Sequence, residues 1–183
     1  VGGNVGTWAR DLCNKFKKVT VFEPVPDNVE CFHKNLENVK NYVLHDYALS
    51  DETGTGKLYI DSRSCGNVGL SEEGVIQGPT KDKPVQKDIY SIDIKTKKLD
   101  DLKLATIDFM KIDVQGNELK VLNGAKQTLK NNQLVLCLEL PTRNGIEIGV
   151  KRKIVEFLGT VHYLERGRFG KETIFTKNTT RWE

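Results

Sequence analysis

Apolar side chains recur along this chain with two different periods, one typical of helices and the other of short buried strands. Near the start, Val5, Leu12 and Phe16 fall on one face at helical spacing, which predicts an amphipathic helix over residues 5–17. The apolar run at residues 19–22 is short and contains β-branched side chains, so it predicts a buried strand. The chain therefore opens with a helix that leads into a strand.

The same alternation continues towards the C-terminal end. Further strands are predicted over residues 42–44, 57–60, 85–94, 109–113 and 134–140, and further helices from residue 26, over 118–129 and over 151–158. Residues 161–164 and 173–176 have the pattern of a closing antiparallel hairpin. Strands that alternate with helices predict an α/β fold, with a mostly parallel sheet covered on both faces.

One stretch departs from both periods. Residues 61–84 are rich in glycine, proline and polar side chains, and we expect an irregular insert on the substrate side. No linker divides the chain, so residues 1–178 are expected to form one domain, followed by a frayed tail over 179–183. A glycine turn that opens a helix normally follows a buried strand, so the first strand of the sheet is expected to be missing from the chain.

Composition narrows the class of protein. With 183 residues and 38% hydrophobic side chains, the chain can bury a core, and no apolar run has the length of a membrane span. The cysteines form no C-x-x-C pair, so reduced thiols and a cytoplasmic location are expected. A net charge of +3 permits an anionic substrate but does not indicate nucleic acid.

The first six residues indicate a cofactor turn. Gly2 and Gly6, with Asn4 between them, do not match the G-x-G-x-x-G turn of dinucleotide enzymes. They match the looser x-G-x-G-x-G turn of enzymes that use S-adenosylmethionine (SAM), with Asn4 in the place of the middle glycine. Glu23 follows the first predicted strand, and Pro24 ends that strand, so the carboxylate is expected at the sheet edge, where it can accept both ribose hydroxyls.

A second polar group follows the next strand. Asp46 is a candidate for contact with the adenine, and the backbone after it, at Tyr47 and Ala48, could offer an amide to the base. The alternative is that Asp46 only forms a turn.

Three further polar residues lie on two strands that are otherwise apolar. Lys111 and Asp113 are two positions apart on one strand and face the same side. Burying the two charges costs free energy unless they pair with each other or take part in the chemistry. They could form a buried ion pair, or they could hold an acceptor hydroxyl, with Asp113 orienting or deprotonating it. Glu139 ends the most apolar strand and would need Lys111 or the substrate as a partner, whereas Glu118 starts a helix and could be only a helix-dipole acid.

Several of these sequence segments occur in the same order as in a known protein family. Phe22-Glu23-Pro24 and the string from Lys111 to Glu118, K-I-D-V-Q-G-N-E, resemble the FkbM family of SAM-dependent methyltransferases, and the matching segments cover most of residues 1–140. The resemblance implies a Rossmann-like class I methyltransferase sandwich, with SAM as methyl donor and S-adenosylhomocysteine as product. The acceptor atom it implies is usually a hydroxyl oxygen.

The resemblance also implies roles for single residues. Together with the glycine turn and the polar residues at the strand ends, it implies a set of cofactor-binding residues: Gly2, Gly3, Asn4, Gly6, Glu23, Asp46, Tyr47 and Ala48. The catalytic candidates are Asp113, Lys111 and Glu139. Gln115 stands where the family commonly has Glu, which weakens the case for a metal, so none is expected.

The expected reaction is therefore O-methylation of a hydroxyl on a sugar, a glycan or a small metabolite. Two alternatives stay open: a cap-type RNA 2′-O-methyltransferase, and a binding domain that keeps the fold without turnover. Against the RNA enzyme stands the lack of a basic and aromatic patch. Neither the acceptor nor the oligomeric state follows from the sequence.

Overall fold

The computed structural model describes residues 1–61, 68–69, 89–140 and 145–178. The helices within these ranges are α1 (Thr7–Cys13), α2 (Pro26–Asn35), α3 (Glu118–Gly124), α4 (Lys126–Asn131) and α5 (Gly145–Thr160). The strands are β1 (Val19–Phe22), β2 (Tyr42–His45), β3 (Ala48–Leu49), β4 (Gly54–Asp61), β5 (Val68–Gly69), β6 (Ile89–Lys97), β7 (Phe109–Ile112), β8 (Val135–Glu139), β9 (Tyr163–Phe169) and β10 (Glu172–Lys177). A 3₁₀ turn over Asp100–Leu102 precedes β7.

The strands pair in three groups. β1 and β2 are parallel, β7 to β10 have the order β7-β8-β10-β9, and the remaining strands have the order β3-β6-β4-β5. β7 and β8 are parallel, whereas β10 runs antiparallel to both β8 and β9. The expected closing hairpin is confirmed. The expectation of a mostly parallel sheet is wrong for the described strands, because β4 pairs antiparallel to both β5 and β6.

The largest core lies on one face of β7 to β10. Leu136 and Leu138 of β8 are fully buried there and pack with α3, α4 and α5, which supply side chains such as Val121, Leu129 and Leu158. Burying each such side chain stabilises the fold by about 1.5–3 kcal/mol. The opposite face of β8 carries Cys137 and Glu139, since successive side chains of a strand alternate.

Smaller departures from the sequence prediction have local causes. The first helix is shorter than expected, and α2 begins after Val25 with no side-chain cap. Within α2, Glu30 pairs with Lys34 four residues further on. Most of the predicted insert at 61–84, and the tail at 179–183, lie outside the described residues.

The backbone of Val1 and Gly2 connects β1 with β7. The Val1 nitrogen donates to the Lys111 carbonyl at 2.7 Å, and the Asp113 amide donates to the Val1 carbonyl at 3.1 Å. On the other side, the Gly2 amide donates to the Phe22 carbonyl at 3.1 Å. Below this connection lies a slot of about 1190 Å³ between the facing edges of β1 and β7.

No helix among the described residues combines the length and the hydropathy that a bilayer crossing needs.

Candidate functional site

A cleft of about 910 Å³ opens at the carboxyl ends of β1 and β7. Polar groups of Gly2, Asn4, Glu23 and Asp113 line one side of it. The opposite side is apolar; its side chains include Val25, Leu58 and Ile94. The cleft lies where open α/β sheets bind their ligands.

The glycine turn approaches the neighbouring strands very closely. Gly2 has a φ of 78°, and a Cβ atom on it would lie 1.8 Å from the Asp113 carbonyl oxygen. Asn4 has a φ of 46°, and its side-chain oxygen accepts a hydrogen bond from the Val5 amide at 2.6 Å. Only glycine fits at position 2, because any side chain would displace the end of β7.

The other two glycines of the turn have different surroundings. A Cβ on Gly3 would lie 2.5 Å from Val21, and Gly3 lines the slot between β1 and β7. Gly6 has a φ of 92°, and its Cβ would lie 2.5 Å from Leu36. The predicted cofactor residues Gly3 and Gly6 therefore pack the turn onto β1 and α2, and neither lines the cleft.

Glu23 anchors the turn to the end of β1. Its Oε2 atom accepts a hydrogen bond from the Asn4 amide at 2.7 Å. Its Oε1 atom accepts from the Val25 amide at 3.0 Å and from the Asn28 side chain at 3.2 Å. Ionised carboxylates offer about four lone-pair sites, so roughly one remains for a ligand in the cleft.

Of the cofactor-binding residues predicted in the segment after β2, only one lines the cleft. Ala48 lines the cleft, together with Leu49 and Ser50, which the sequence did not single out. Asp46 is exposed and does not line the cleft. Tyr47 is buried, with its ring tilted by 51° against that of Phe22 and lying under the Lys97 ammonium.

Lys111 lies at the centre of a charged cluster beside the cleft. Its side chain is only 6% exposed, and its Nζ atom lies 2.9 Å from Asp113 and 3.2 Å from Glu172. The Trp8 ring covers it at 4.9 Å. Burial acts to lower the pKa of Lys111, but the two carboxylates outweigh it and hold the pKa above its ordinary value.

Asp113 and Glu139 share a hydrogen bond, which requires a proton on one of the two carboxyl groups. Burial, followed by the bond with Asp113, raises the pKa of Glu139. Burial also acts to raise the pKa of Asp113, but the bond from Glu139 and the Lys111 ammonium lower it below its ordinary value. The two carboxyl groups are therefore shifted in opposite directions, with the pKa of Glu139 raised and that of Asp113 lowered.

Gln115 completes the surroundings of Asp113. Its side-chain amide donates to the Asp113 Oδ1 atom at 2.9 Å, which a glutamate at this position could not do when ionised. Gln115 adopts a left-handed conformation with a φ of 52°. The loop is held by Glu118, which is 2% exposed and accepts hydrogen bonds from the Val114 and Gly116 amides. Glu118 thus shapes the loop from within, although it also starts α3.

Glu172 is the site residue that sequence reasoning missed. The register of β8 and β10 places it directly opposite Glu139, and its Oε2 atom accepts a hydrogen bond from the Cys137 thiol at 3.3 Å. Burial, with this bond, raises the pKa of Cys137 to about 12, so the thiol stays protonated. In the sequence, Glu172 is marked only by its position next to the last predicted strand. The pairing of β10 with β8 is needed to place it beside Glu139.

Ligand atoms of Asp113, Glu139 and Glu172 lie within 4.8 Å of one another, as metal ligands would. The Lys111 ammonium already pairs with two of these carboxylates. The positive charge that faces these carboxylates therefore comes from a buried lysine.

Two curated proteins and one solved structure are similar to this chain. Methyltransferase 1 of Beauveria bassiana is 27% identical over 138 residues, covering 67% of this chain and 55% of the relative. The 2-O-methyltransferase NoeI of Sinorhizobium fredii is 27% identical over 148 residues, covering 74% of this chain and 59% of the relative. The chain thus spans a little over half the length of these relatives.

The solved structure is the methyltransferase FkbM of Methylobacillus flagellatus. It superposes with a TM-score of 0.63 over 96% of this chain and 41% of its own chain, at 16% identity, which supports the fold alone. The model of the methyltransferase FkbM domain matches residues 1–167, the range that contains the glycine turn, Glu23, Lys111, Asp113 and Glu139. The chain therefore belongs to the FkbM methyltransferase domain family.

Proposed function

We propose that this chain transfers a methyl group from SAM to a hydroxyl oxygen of a sugar, glycan or small metabolite. The observation that carries the proposal is the position of Asp113, which lines the cleft and also bonds to the cluster of Lys111, Glu139 and Glu172. A relative is named a 2-O-methyltransferase, which supports oxygen as the acceptor atom.

The residues of the cleft fit SAM. When bound, SAM supplies an electrophilic methyl group on a positively charged sulfur. Glu23 and Asp113 give the cleft two carboxylates for a cationic ligand, and the apolar wall at Leu58 and Ile94 suits a flat base. We assign Gly2, Asn4, Glu23 and Ala48 to cofactor binding, since all four line the cleft.

The charged cluster can manage the acceptor proton. An acceptor hydroxyl within reach of Asp113 would donate its hydrogen bond to that carboxylate. Asp113 would take the proton as the methyl–sulfur bond breaks, releasing S-adenosylhomocysteine, and the carbon–oxygen bond forms. Lys111 holds Asp113 in the ionised state beforehand, because the ammonium lies 2.9 Å from it. Glu172 holds Lys111 from the other side, and the remaining contribution is alignment of the acceptor.

We also propose that an extended segment before Val1 fills the slot between β1 and β7, which would complete a Rossmann-like sheet. Val1 already makes the two bonds to Lys111 and Asp113 that a parallel neighbour of β7 makes. A crystal structure of the chain with about five added β-branched residues tests this. Density in the slot would support the strand, and an extension directed into solvent would refute it.

Calorimetry with SAM and S-adenosylhomocysteine tests the cofactor. We expect micromolar binding to the native chain and a loss of about tenfold or more in Glu23→Ala, because the turn loses its anchor and the cleft loses a carboxylate. Glu30→Ala on the exposed surface of α2 is the matched control. A folded chain that binds neither ligand would favour a binding domain without turnover.

Transfer of labelled methyl from SAM tests the reaction. With a panel of glycosides as acceptors, Asp113→Asn should lower turnover by about 10²–10⁴-fold while SAM still binds, since the variant cannot accept the proton. Transfer to RNA instead of glycosides would establish the RNA alternative. Turnover by Asp113→Asn close to that of the native chain would contradict the role of Asp113.

A further inference from the structure

We propose that Phe169, at the turn of the β9–β10 hairpin, packs against the ring of a sugar acceptor and thereby selects it; this inference rests on the proposed function. Phe169 is 74% exposed, whereas Trp8, the next most exposed large hydrophobic residue in the described ranges, is 47% exposed. Single exposed hydrophobic residues are common, and Phe169 is distinguished from them by its position in the sheet.

Phe169 lies in line with the charged cluster. It pairs directly with Glu172, and Glu172 pairs directly with Glu139. Directly paired residues project from the same face of a sheet, and neighbouring strands are about 4.8 Å apart. The Phe169 backbone is therefore about one strand from Glu172 and about two strands from Glu139. Since Glu172 contacts Lys111, the aromatic ring belongs to the same row of side chains as the reacting groups.

The hairpin turn is fixed to the end of β8. The Leu140 amide donates to the Lys171 carbonyl at 3.2 Å, and the Lys171 ammonium lies 3.4 Å from Glu139. Gly170 takes the left-handed conformation that the turn needs, with a φ of 62°. The end of β9 that carries Phe169 is thus held beside the end of β8 that carries Glu139.

Space for an acceptor lies beside the ring. Gly167 is two residues before Phe169 on the same face of β9, and a Cβ atom there would have no heavy atom within 4 Å. Glu172 and Glu139 are 21% and 23% exposed, so both carboxyl groups are accessible from this side. Apolar surface next to accessible hydrogen-bond acceptors is therefore available.

A sugar ring matches this row better than other acceptors do. One face of a pyranose presents C–H groups that pack on an aromatic ring, and its hydroxyls donate to carboxylates. An RNA strand would bring phosphates next to Glu139 and Glu172, which costs energy through like-charge repulsion. An alkyl chain would offer no hydroxyl to either carboxylate.

Kinetics with methyl glycosides of glucose, galactose and mannose test this proposal, with labelled SAM at saturation. Phe169→Ala should raise the KM for the preferred glycoside about tenfold and leave kcat within about twofold, whereas Phe169→Tyr should restore the KM. Leu164→Ala, on the same strand and 44% exposed, is the control and should leave both constants unchanged.

The outcomes separate this inference from the function on which it rests. An unchanged KM in Phe169→Ala, with methyl transfer by the native chain, would overturn only the role of Phe169. A native chain that binds SAM but methylates no glycoside would overturn the sugar acceptor, and the role of Phe169 with it. A loss in Phe169→Ala that Phe169→Tyr does not restore, accompanied by a lower melting temperature, would show a merely structural residue.

Discussion

At the scale of single residues, the cluster around Lys111 contains three carboxyl groups and two ammonium groups, since the Lys171 ammonium lies 3.4 Å from Glu139. Burial and the neighbouring Asp113 raise the pKa of Glu139. The bond from Glu139 and the Lys111 ammonium lower the pKa of Asp113 against the effect of burial. The surroundings of Asp113 and Glu139 therefore push their pKa values apart, as in acid–base sites.

The raised pKa of Glu139 predicts how stability depends on pH. A carboxyl group whose pKa is raised on folding stabilises the fold while it is protonated, below its ordinary value of 4.5, and that contribution is lost as pH rises through the raised value. Glu139→Gln cannot ionise and should lack this loss. Melting temperatures measured in steps from pH 4 to pH 8 (a range of about four units) check it.

Glu156→Gln, an exposed residue of α5, is the control for that titration. Parallel melting curves for the native chain and Glu139→Gln across the whole range would show that Glu139 does not hold the shared proton.

Single residues also show what the sequence could and could not reveal. Glu23, Lys111 and Asp113 were found because each breaks the pattern of an apolar strand, and a buried charge needs a reason. Glu172 was missed because its role depends on which residue of β8 it faces, and hairpin register is set by the turn rather than by local pattern. Tyr47 is buried in a cluster of rings that only the tertiary structure defines.

At the scale of elements, α3 contacts the segment that lines the cleft. Its last residue, Gly124, lies against the backbone after β3, and a Cβ there would be 2.0 Å from the Ser50 carbonyl oxygen. Because Ser50 lines the cleft, the packing of this helix sets one wall of the site. The sequence predicted a helix over residues 118–129, and the structure divides it at Ala125 into α3 and α4.

Gly124→Ala should therefore affect the fold and the site together. Overpacking is expected to cost about 1–3 kcal/mol of unfolding free energy and to weaken SAM binding severalfold. Gly149→Ala, in α5 with no neighbour within 4 Å, should instead stabilise the chain by about 0.5–1 kcal/mol without changing affinity. Urea unfolding and calorimetry give both quantities, and equal effects of the two alanines would contradict this assignment.

The order of helices and strands along the chain was easier to predict than the pairing of the strands. Helix and strand periods gave nearly every described element, including the hairpin of β9 and β10. The pairing of β4 with β6 was not predictable, because residues 54–61 and 89–97 are distant in sequence and their pattern suits either direction of pairing.

At the scale of the whole molecule, one core covers β7 to β10 and another joins α1, β1 and α2, and the cleft lies where these parts meet. A ligand that binds there contacts residues of both. Its binding free energy should therefore add to the stability of the entire chain.

S-adenosylhomocysteine at about 100 times its Kd should add about 2.7 kcal/mol, which for a chain of this length raises the melting temperature by about 5–10 °C. Differential scanning calorimetry with and without the ligand measures the shift. Glu23→Ala should show almost none at the same concentration, and a native chain that melts at one temperature in both samples would contradict cofactor binding.

The backbone of Val1 and Gly2 borders both the cleft and the slot between β1 and β7, so it separates the two spaces. A molecule bound in the cleft or in the slot would restrain the same stretch of backbone. A segment that docks in the slot and a ligand that enters the cleft are thus thermodynamically linked, and each must change the affinity of the other by the same factor.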